Sequence, residues 1–242
     1  SANRDKETVM KQNILALLLL FPFLGALPAC AGPTTYSAEA IEARVVDADT
    51  KQPLEGVVVV AHWVLEGGIH VDRVGDLMIL ESVTDKEGKF IFSAWGPIRH
   101  WKSSRLTYMD PEILIFRSGY EYLRLTNEPT PEALGGKAFP VRTSRWNGKT
   151  IELKRFRGKG EKYAEHIYWL SVALDRIHDF ARGAKTCTWK NTPQILVALH
   201  KISVDFEKKN VRLHGGRIHR IEDIPMYPGC GSPKEYFKAF LP

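Results

Sequence analysis

The segment 43–63 reads ARVVDADTKQPLEGVVVVAHW and contains the end of a strand, a turn and a second strand. Residues 41–47 alternate apolar and polar side chains, as a half-buried strand does. Pro53 and Gly56 shape the turn, because proline fixes φ and glycine accepts conformations that other residues avoid. The β-branched run 57–64 then predicts a second strand.

Further segments continue this alternation of short strands and turns. Residues 82–92 read SVTDKEGKFIF and predict a hairpin whose two phenylalanines share one face. Residues 113–125 read ILIFRSGYEYLRL and predict a later strand, and 150–154 predict a closing strand. Several short strands separated by turns over 40–156 predict a small antiparallel β-sandwich.

Together these segments resemble the carboxypeptidase regulatory-like, or transthyretin-like, domain family. That family shows a D-x-x-T-x-x-P-L-x-G-A-x-V turn, a T-D-x-x-G-x-F-x-F hairpin and a later strand that ends near G-Y. The residues that fill these patterns here are Asp47, Thr50, Pro53, Leu54, Gly56, Val58, Thr84, Asp85, Gly88, Phe90, Phe92, Gly119 and Tyr120. The resemblance covers 40–126, with 150–156 as the expected last strand. It implies the sandwich fold, and it implies no particular activity.

Beyond the sandwich, the hydrophobic period becomes helical. The apolar residues of 161–182 recur at helical spacing, and Thr192 and Pro193 begin a second helix by N-cap and first-turn preferences. The chain becomes rich in glycine and proline from Val211. We therefore predict an α+β protein in which 157–242 forms two helices and an irregular tail.

The N-terminal region has the parts of a secretory signal peptide. Residues 10–29 combine a short positive start with an apolar core that is shorter than the roughly 20 residues of a spanning helix. This core ends in the sequence LPAC at 27–30, which resembles the lipobox of bacterial lipoproteins. The resemblance implies lipidation of Cys30. It also leaves 30–39 as a lipidated tether and 1–9 as an upstream extension.

Two other interpretations of this region stay open. The segment could be an ordinary signal peptide cut after Ala29 or Ala31, or an uncleaved anchor. Lipidation would hold the protein in the cell envelope, facing the periplasm, and Ala31 after the cysteine favours the outer membrane by resemblance to enterobacterial sorting. The expected partners are the membrane and an envelope protein or polysaccharide. The formal net charge of +6 is moderate, and because nucleic acid is a poor partner for an exported protein, the charge favours an anionic lipid or a polysaccharide.

The chain has three cysteines, and their assignment depends on the N-terminus. If Cys30 carries lipid, Cys187 and Cys230 remain as a pair in a compartment where disulfides persist. The alternative is two free thiols. A zinc site lacks support because the closely spaced cysteine pairs of structural zinc sites are absent from the sequence.

Two long connections, 67–80 and 96–110, depart from the compact form of the family. Binding residues concentrate on such loops. The second connection and its flank carry aromatic and cationic residues that suit a carbohydrate or an anionic surface, namely Trp95, Arg99, His100 and Trp101. The alternative is that the two tryptophans fold back over the sheet.

The eight histidines are the remaining candidates for chemistry. His166 and His178 lie on the first predicted helix and His200 on the second, yet no HExxH motif places two of them on one helical face. The sequence also lacks GxSxG and SxxK motifs. We predict no catalytic residues, no metal and no cofactor, and hence a non-enzymatic binding or assembly module. The alternatives are a small periplasmic metal-dependent hydrolase that uses the C-terminal histidines, and a carbohydrate-binding module.

Overall fold

The computed structural model describes residues 34–70, 72–100, 104–128, 140–178, 187–213 and 216–241. The predicted signal peptide, Cys30 and Trp101 lie outside these residues. Within the described ranges, no helix combines the length and the apolar character that crossing a bilayer requires.

The described residues form strands first and helices afterwards. In chain order the strands are β1 Thr34–Ala38, β2 Ile41–Asp47, β3 Val58–Gly67, β4 Asp72–Val83, β5 Lys89–Phe92, β6 Trp95–His100, β7 Arg105–Leu106, β8 Glu112–Phe116, β9 Leu123–Leu125, β10 Val141–Arg142 and β11 Thr150–Leu153. The helices are α1 Glu161–His178, α2 Pro193–Lys208 and α3 Pro233–Phe237, with 3-10 turns at Thr188–Asn191 and Ile221–Asp223.

The strands pair into three sheets. Two small sheets have the orders β10-β1-β6 and β11-β2-β5, and we call them the outer sheets. The third has the order β4-β3-β8-β9, with β7 also paired to β3, and we call it the central sheet. The β1–β10 and β2–β11 pairs are parallel, whereas the other neighbours are antiparallel.

Strand β3 explains why the central sheet has a layer on each side. Val57, Val59 and Ala61, from the end of the turn into β3, face the outer sheets and join one hydrophobic core. Val58 and Val60 face the opposite way and join a second core with the helices. Since alternate residues point to opposite faces, a strand buried on both faces must be apolar throughout. The unbroken valine run is the sequence signature of this central position.

The helices bury their apolar stripes on the free face of the central sheet. This second core combines residues of β3, β4 and β8 with Ala164, Ile167, Leu170, Leu174, Ile177, Trp189, Ile195, Leu196, Val197, Leu199, Ile202, Phe206, Ile218, Ile221, Ile224, Cys230 and Phe237. The prediction of an α+β protein with a β-sandwich followed by helices is confirmed. The tail contributes a third, short helix, α3, which the sequence analysis missed; its Phe237 is fully buried.

Two segments that were predicted as irregular are strands. Residues 34–38, within the predicted tether 30–39, form β1 because Tyr36 and Ala38 point into the sandwich core. Most of the predicted connection 67–80 belongs to β4, which pairs with β3 along nearly its whole length. Irregularities near Trp63 and Leu65 interrupt the pairing register. Such bulges break the strict alternation by which a strand is read from sequence.

The three sequence patterns of the family resemblance meet at one corner of the sandwich. The carboxylate of Asp47 accepts backbone N–H bonds from Asp49 at 3.0 Å and Thr50 at 2.9 Å. It also accepts the hydroxyl of Tyr120 at 2.9 Å and Nε of Arg155 at 2.8 Å. The first and third patterns are therefore joined by a single buried carboxylate.

The hairpin pattern is fixed to the same corner through Thr84 and Gly88. The Thr84 hydroxyl accepts a bond from the backbone N–H of Val57 at 2.8 Å and donates to the carbonyl oxygen of Leu54 at 2.5 Å. Gly88 has a φ of +72°, and a Cβ there would collide with the carbonyl oxygen of Val45. Glycine is therefore required for the close approach of the hairpin to β2.

Candidate functional site

His62 is a fully buried histidine on the helix-facing side of β3. Its Nδ1 lies 3.0 Å from Oδ1 of Asp76 on β4, and its Nε2 lies 3.7 Å from Oε1 of Glu112 on β8. The central position of β3 brings both carboxylates to the ring, because β4 and β8 are its two neighbours in the sheet. One imidazole is thus placed between two acids.

Two arginines extend this arrangement towards solvent. Arg73 forms an ion pair with Asp76, and Nη2 of Arg124 lies 2.6 Å from Oε1 of Glu112. The result is a row of alternating charges in the order Arg73, Asp76, His62, Glu112 and Arg124, which we call the charge chain. The arginines and Glu112 are partly exposed, whereas His62 and Asp76 are buried, so the His62–Asp76 pair is shielded from solvent.

The neighbours of His62 favour the protonated form of its ring. Burial lowers the pKa of His62, but the hydrogen bond to Asp76 and the negative charges of Asp76 and Glu112 outweigh burial and raise the pKa above its usual value. Burial raises the pKa of Glu112, yet His62 and Arg124 lower it to about 2. A protonated imidazole flanked by carboxylates has no lone pair to accept a proton from a substrate. The geometry therefore favours charge compensation over general base catalysis.

His178 lies at the end of α1, next to the charge chain, in the opposite protonation state. Its Nδ1 lies 3.2 Å from the hydroxyl of Thr188 and its Nε2 lies 2.9 Å from the hydroxyl of Thr192. Complete burial lowers its pKa to about 3, with further lowering from the positive charges of His62 and Arg73. His178 is thus a neutral ring whose bonds join α1 to the segment that precedes α2.

The other helical histidines have separate surroundings. Nε2 of His166 accepts the backbone N–H of Tyr122 at 3.1 Å, and burial lowers the pKa of this ring. Nδ1 of His200 lies 3.4 Å from a carboxylate oxygen of Glu222. Within the part of the chain that the structure describes, no three His, Cys, Asp or Glu side chains are grouped as metal ligands. The histidines that suggested a metal-dependent hydrolase are not brought together there.

The predicted ligand-binding residues lie mostly on a strand instead of a loop. Trp95, Arg99 and His100 belong to β6, which pairs with β1. The Trp95 ring contacts the ring of Trp63 edge to face, with centroids 5.2 Å apart, so it covers the core as the alternative interpretation expected. Arg99 is exposed, and Nε2 of His100 lies 2.7 Å from the hydroxyl of Ser104. Trp101 falls outside the described residues.

The predicted partners Cys187 and Cys230 are joined by a disulfide. Cys187 lies immediately before the 3-10 turn that holds Thr188, and Cys230 lies in the tail. The bridge therefore fastens the tail beside the threonine that His178 contacts.

Glu81 of β4 caps helix α2, a role that the sequence analysis gave to Thr192. The two carboxylate oxygens of Glu81 accept the backbone N–H groups of Gln194 at 2.8 Å and Ile195 at 3.0 Å. Thr192 makes no side-chain cap bond, because its hydroxyl contacts His178. Burial raises the pKa of Glu81 to about 7, although the two amide donors act in the opposite direction.

A buried ion pair inside the sandwich was likewise not predicted from the sequence. Asp110 lies 3.3 Å from Nη1 of Arg142 on β10, and both side chains are nearly inaccessible. Burial raises the pKa of Asp110 to about 7 in spite of the arginine. The guanidinium of Arg142 also lies over the ring of Tyr36, 5.6 Å from its centroid. Nothing in the local sequence of either partner indicates this contact.

Comparison with known proteins yields distant structural likenesses alone. No protein-family model and no curated protein matches the chain. A 3-chlorocatechol 1,2-dioxygenase from Rhodococcus opacus 1CP is 14% identical over 51% of this chain and 62% of its own, with a TM-score of 0.29. The dioxygenase domain of a dioxygenase carbohydrate-binding protein fusion from Streptomyces sp. SirexAA-E is 15% identical over 53% and 83%, with a TM-score of 0.27.

The Corynebacterium diphtheriae major pilin SpaA is a third such structure. It is 16% identical over 51% of this chain and 31% of its own, with a TM-score of 0.21. The chain thus spans less than two thirds of the length of the Rhodococcus enzyme and about a third of the pilin. The overlaps are too loose to transfer a function to this chain.

Proposed function

We propose that this protein is a lipid-anchored module of the cell envelope that binds or assembles with an envelope partner and does not catalyse a reaction. The anchor would be Cys30, and the folded part would face the periplasm, from the outer membrane in preference to the inner one. The partner would be an envelope protein or polysaccharide.

The observation that carries the non-catalytic part of the proposal is the charge chain. His62 contacts Asp76 through Nδ1, and its Nε2 faces Glu112. The ring of His178 contacts the hydroxyls of two threonines. Active sites instead direct perturbed acids and bases towards a space that a substrate can enter. Here the perturbed groups connect the strands of the central sheet and the elements that cover it.

The proposal includes the family of the sandwich domain. We assign the sandwich to the carboxypeptidase regulatory-like type. The meeting of the three sequence patterns at Asp47, Thr84 and Tyr120 supports this assignment, because residues that define a pattern are then the residues that fix one corner of the fold. Modules of this type are found in many surface proteins, which agrees with a binding role.

The anchor is tested by metabolic labelling with palmitate. The parent chain should take up label and remain in the membrane fraction, and Cys30→Ser should lose both properties. The double variant Cys187→Ser with Cys230→Ser is the matched control, since it removes the other two cysteines and should keep the label. Retention of label by Cys30→Ser would overturn the anchor.

The binding role is tested by photocrosslinking in the intact envelope. A benzophenone amino acid is placed at Ile91 on the outer sheets or at Trp169 on α1, two exposed positions in different layers. The proposal expects the same partner from one of these faces in repeated preparations, and a weaker signal from the other. Failure of both faces to give a reproducible adduct would contradict an assembly role.

A further inference from the structure

The described part of the chain begins with Thr34, at one end of the sandwich. Thr34, the first residue of β1, pairs with His100, the last residue of β6. His100 contacts Ser104, and a Cβ placed on Gly67 would lie 3.1 Å from Cβ of Ser104. The tip of the β3–β4 hairpin, which follows Gly67, therefore lies at the same end as Thr34. We call this region the Thr34 end.

Two of the exposed large apolar side chains of the described residues lie at the Thr34 end. Ile69, at the hairpin tip, is 96% exposed, and Val74 on β4 is 57% exposed. Val74 also approaches Gly67, so the two apolar residues belong to one hairpin end. An exposed isoleucine at a projecting tip is the kind of group that enters the boundary between headgroups and acyl chains.

The same end carries exposed arginines. Arg99 lies on β6, one residue before His100, and Arg105 begins β7. Within the described residues, no ion pair joins either of these arginines to a carboxylate; Arg105 instead lies over the ring of Tyr108. The acids nearby are Glu66, opposite Arg105 in the sheet, and the exposed Asp72.

At the opposite end of the sandwich, three basic residues are paired with carboxylates of the chain. Nζ of Lys51 lies 2.6 Å from Glu152, and Nζ of Lys89 lies 2.6 Å from Glu42. Arg155 is bound to the buried carboxylate of Asp47. These three cations are compensated, and the exposed apolar side chains of the hairpin tip lie at the Thr34 end, which favours the Thr34 end for contact with external phosphate groups.

We propose that the Thr34 end rests on the bilayer surface, with Ile69 inserted among the headgroups and with Arg99 and Arg105 contacting the phosphates of anionic phospholipids. This inference rests on the proposed lipidation of Cys30. Thr34 follows Cys30 by four residues, so an extended chain holds it within about 14 Å of the cysteine. A short tether gives a high effective concentration, and a weak contact is then sufficient to orient the protein.

The test uses the full-length lipoprotein reconstituted into vesicles that contain an alkyne-labelled anionic phospholipid, so that the acyl chains of the protein itself carry no label. A benzophenone amino acid replaces Ile69, and lipid adducts are detected after irradiation. Ile91, an aliphatic residue on β5 that is 53% exposed, is the matched control position. The proposal expects adducts from position 69 and at least fivefold less from position 91.

Charge reversal tests the arginines in the same assay. The electrostatic attraction of each basic residue near an anionic surface corresponds to about a fivefold change in binding. Arg99→Glu with Arg105→Glu should therefore lower the lipid adducts from position 69 at least fivefold, whereas Lys51→Glu, at the opposite end, should leave them unchanged. A thermal unfolding midpoint equal to that of the parent shows that each variant is folded.

The outcomes separate this inference from the proposed anchor. Protein that stays in the membrane fraction but gives no more lipid adducts at position 69 than at position 91 overturns the docking surface alone. Protein that leaves the membrane fraction in spite of an intact Cys30 overturns the anchor. An equal loss of adducts in Lys51→Glu and in the double arginine variant overturns the assignment of the headgroup contact to Arg99 and Arg105.

Discussion

At the scale of single residues, His62 occupies a place on β3 where its neighbours on the same face, Val58 and Val60, are apolar. A buried imidazolium is tolerated there because Asp76 and Glu112 approach it from two sides. Loss of one member of such a group lowers the stability of the fold by more than the intact group raises it, since the remaining charges are left buried and uncompensated. His62 is therefore a sensitive position for stability.

Replacement of His62 by glutamine tests this sensitivity. Asp76 and Glu112 would keep their negative charges without a positive group between them. We expect the free energy of unfolding to fall by about 3 kcal/mol or more, measured by urea denaturation. His200→Gln is the control, because the partner of His200, Glu222, is largely exposed, and it should change stability by less than about 1 kcal/mol.

The pH dependence of stability gives a second test of the same residue. The pKa of His62 is raised above 6.5 in the folded protein, so the folded state keeps a proton that the unfolded chain has released. The stability from this proton is complete below pH 6.5 and is lost as the pH rises through the folded-state pKa. His62→Gln should lack that loss. An identical decline in the parent and the variant would contradict a protonated ring.

The sequence predicts the strand around His62 but not its partners. Alternation and β-branching are local properties, and they place 57–64 in a strand. The two acids come from separate strands, at positions 76 and 112, and only the pairing of β3 with β4 and β8 brings them to the ring. The same reason hides the Asp110–Arg142 pair, whose members are joined by tertiary packing alone.

At the scale of elements, helix α2 depends on a side chain from the central sheet. Glu81 accepts two amide bonds at the first turn of α2 and replaces the local cap that Thr192 would provide. A carboxylate at a helix N-terminus is favoured by the unpaired amides and the helix dipole. Its burial opposes ionisation, so the cap is coupled to pH.

Replacement of Glu81 by glutamine should remove this coupling. The pKa of Glu81 rises from 4.5 to about 7 on folding, so between these values the folded state holds a proton that the unfolded chain lacks. The contribution of Glu81 to the free energy of unfolding therefore falls by about 3 kcal/mol as the pH rises from 4.5 to 7. Urea midpoints across this window should decline in the parent more steeply than in Glu81→Gln. Glu55→Gln, at an exposed position, should match the parent.

The disulfide should determine whether the tail stays folded. The bridge closes a loop of 43 residues, for which the chain-entropy model gives a stabilisation of about 4 kcal/mol. Cys187→Ala with Cys230→Ala should lower the unfolding free energy by an amount of this order and expose the tail to protease. A reducing agent should have the same effect on the parent and none on the variant. Unchanged protease resistance of the tail would contradict this dependence.

Local sequence patterns predicted most of the strands and helices. They failed where a structural feature depends on residues that are far away in the sequence. The start of α2 was predicted correctly from Thr192 and Pro193, but its cap comes from a strand 113 residues away. Most of the predicted connection 67–80 is strand β4, because pairing with β3 continues through two irregularities. α3 was missed because a five-residue helix has too few turns to show a period.

At the scale of the whole molecule, the central sheet gives one face to each hydrophobic core. Residues of β3 and β8 appear in both cores, so neither core can lose its packing without exposing the same strands. We expect the sandwich and the helices to unfold together in one transition.

Two core truncations test this cooperativity. Ile115→Ala lies in the sandwich core and Leu170→Ala in the helical core, and both side chains are fully buried. Each should lower the unfolding free energy by about 2–5 kcal/mol. In both variants, the transitions followed by far-ultraviolet circular dichroism and by intrinsic fluorescence should coincide. Separate transitions, with Leu170→Ala affecting the helical signal alone, would show two independent units.

The position of β1 has a mechanical consequence. Thr34 begins a strand that lies between β6 and β10, so backbone hydrogen bonds hold it on both sides. A pull on Thr34 along the strand direction would load these two rows of bonds in shear, and the bonds of both rows must then break together. Attachment at an isolated loop would allow them to open one at a time. The first described strand is thus suited to resist a force applied through the chain that precedes it.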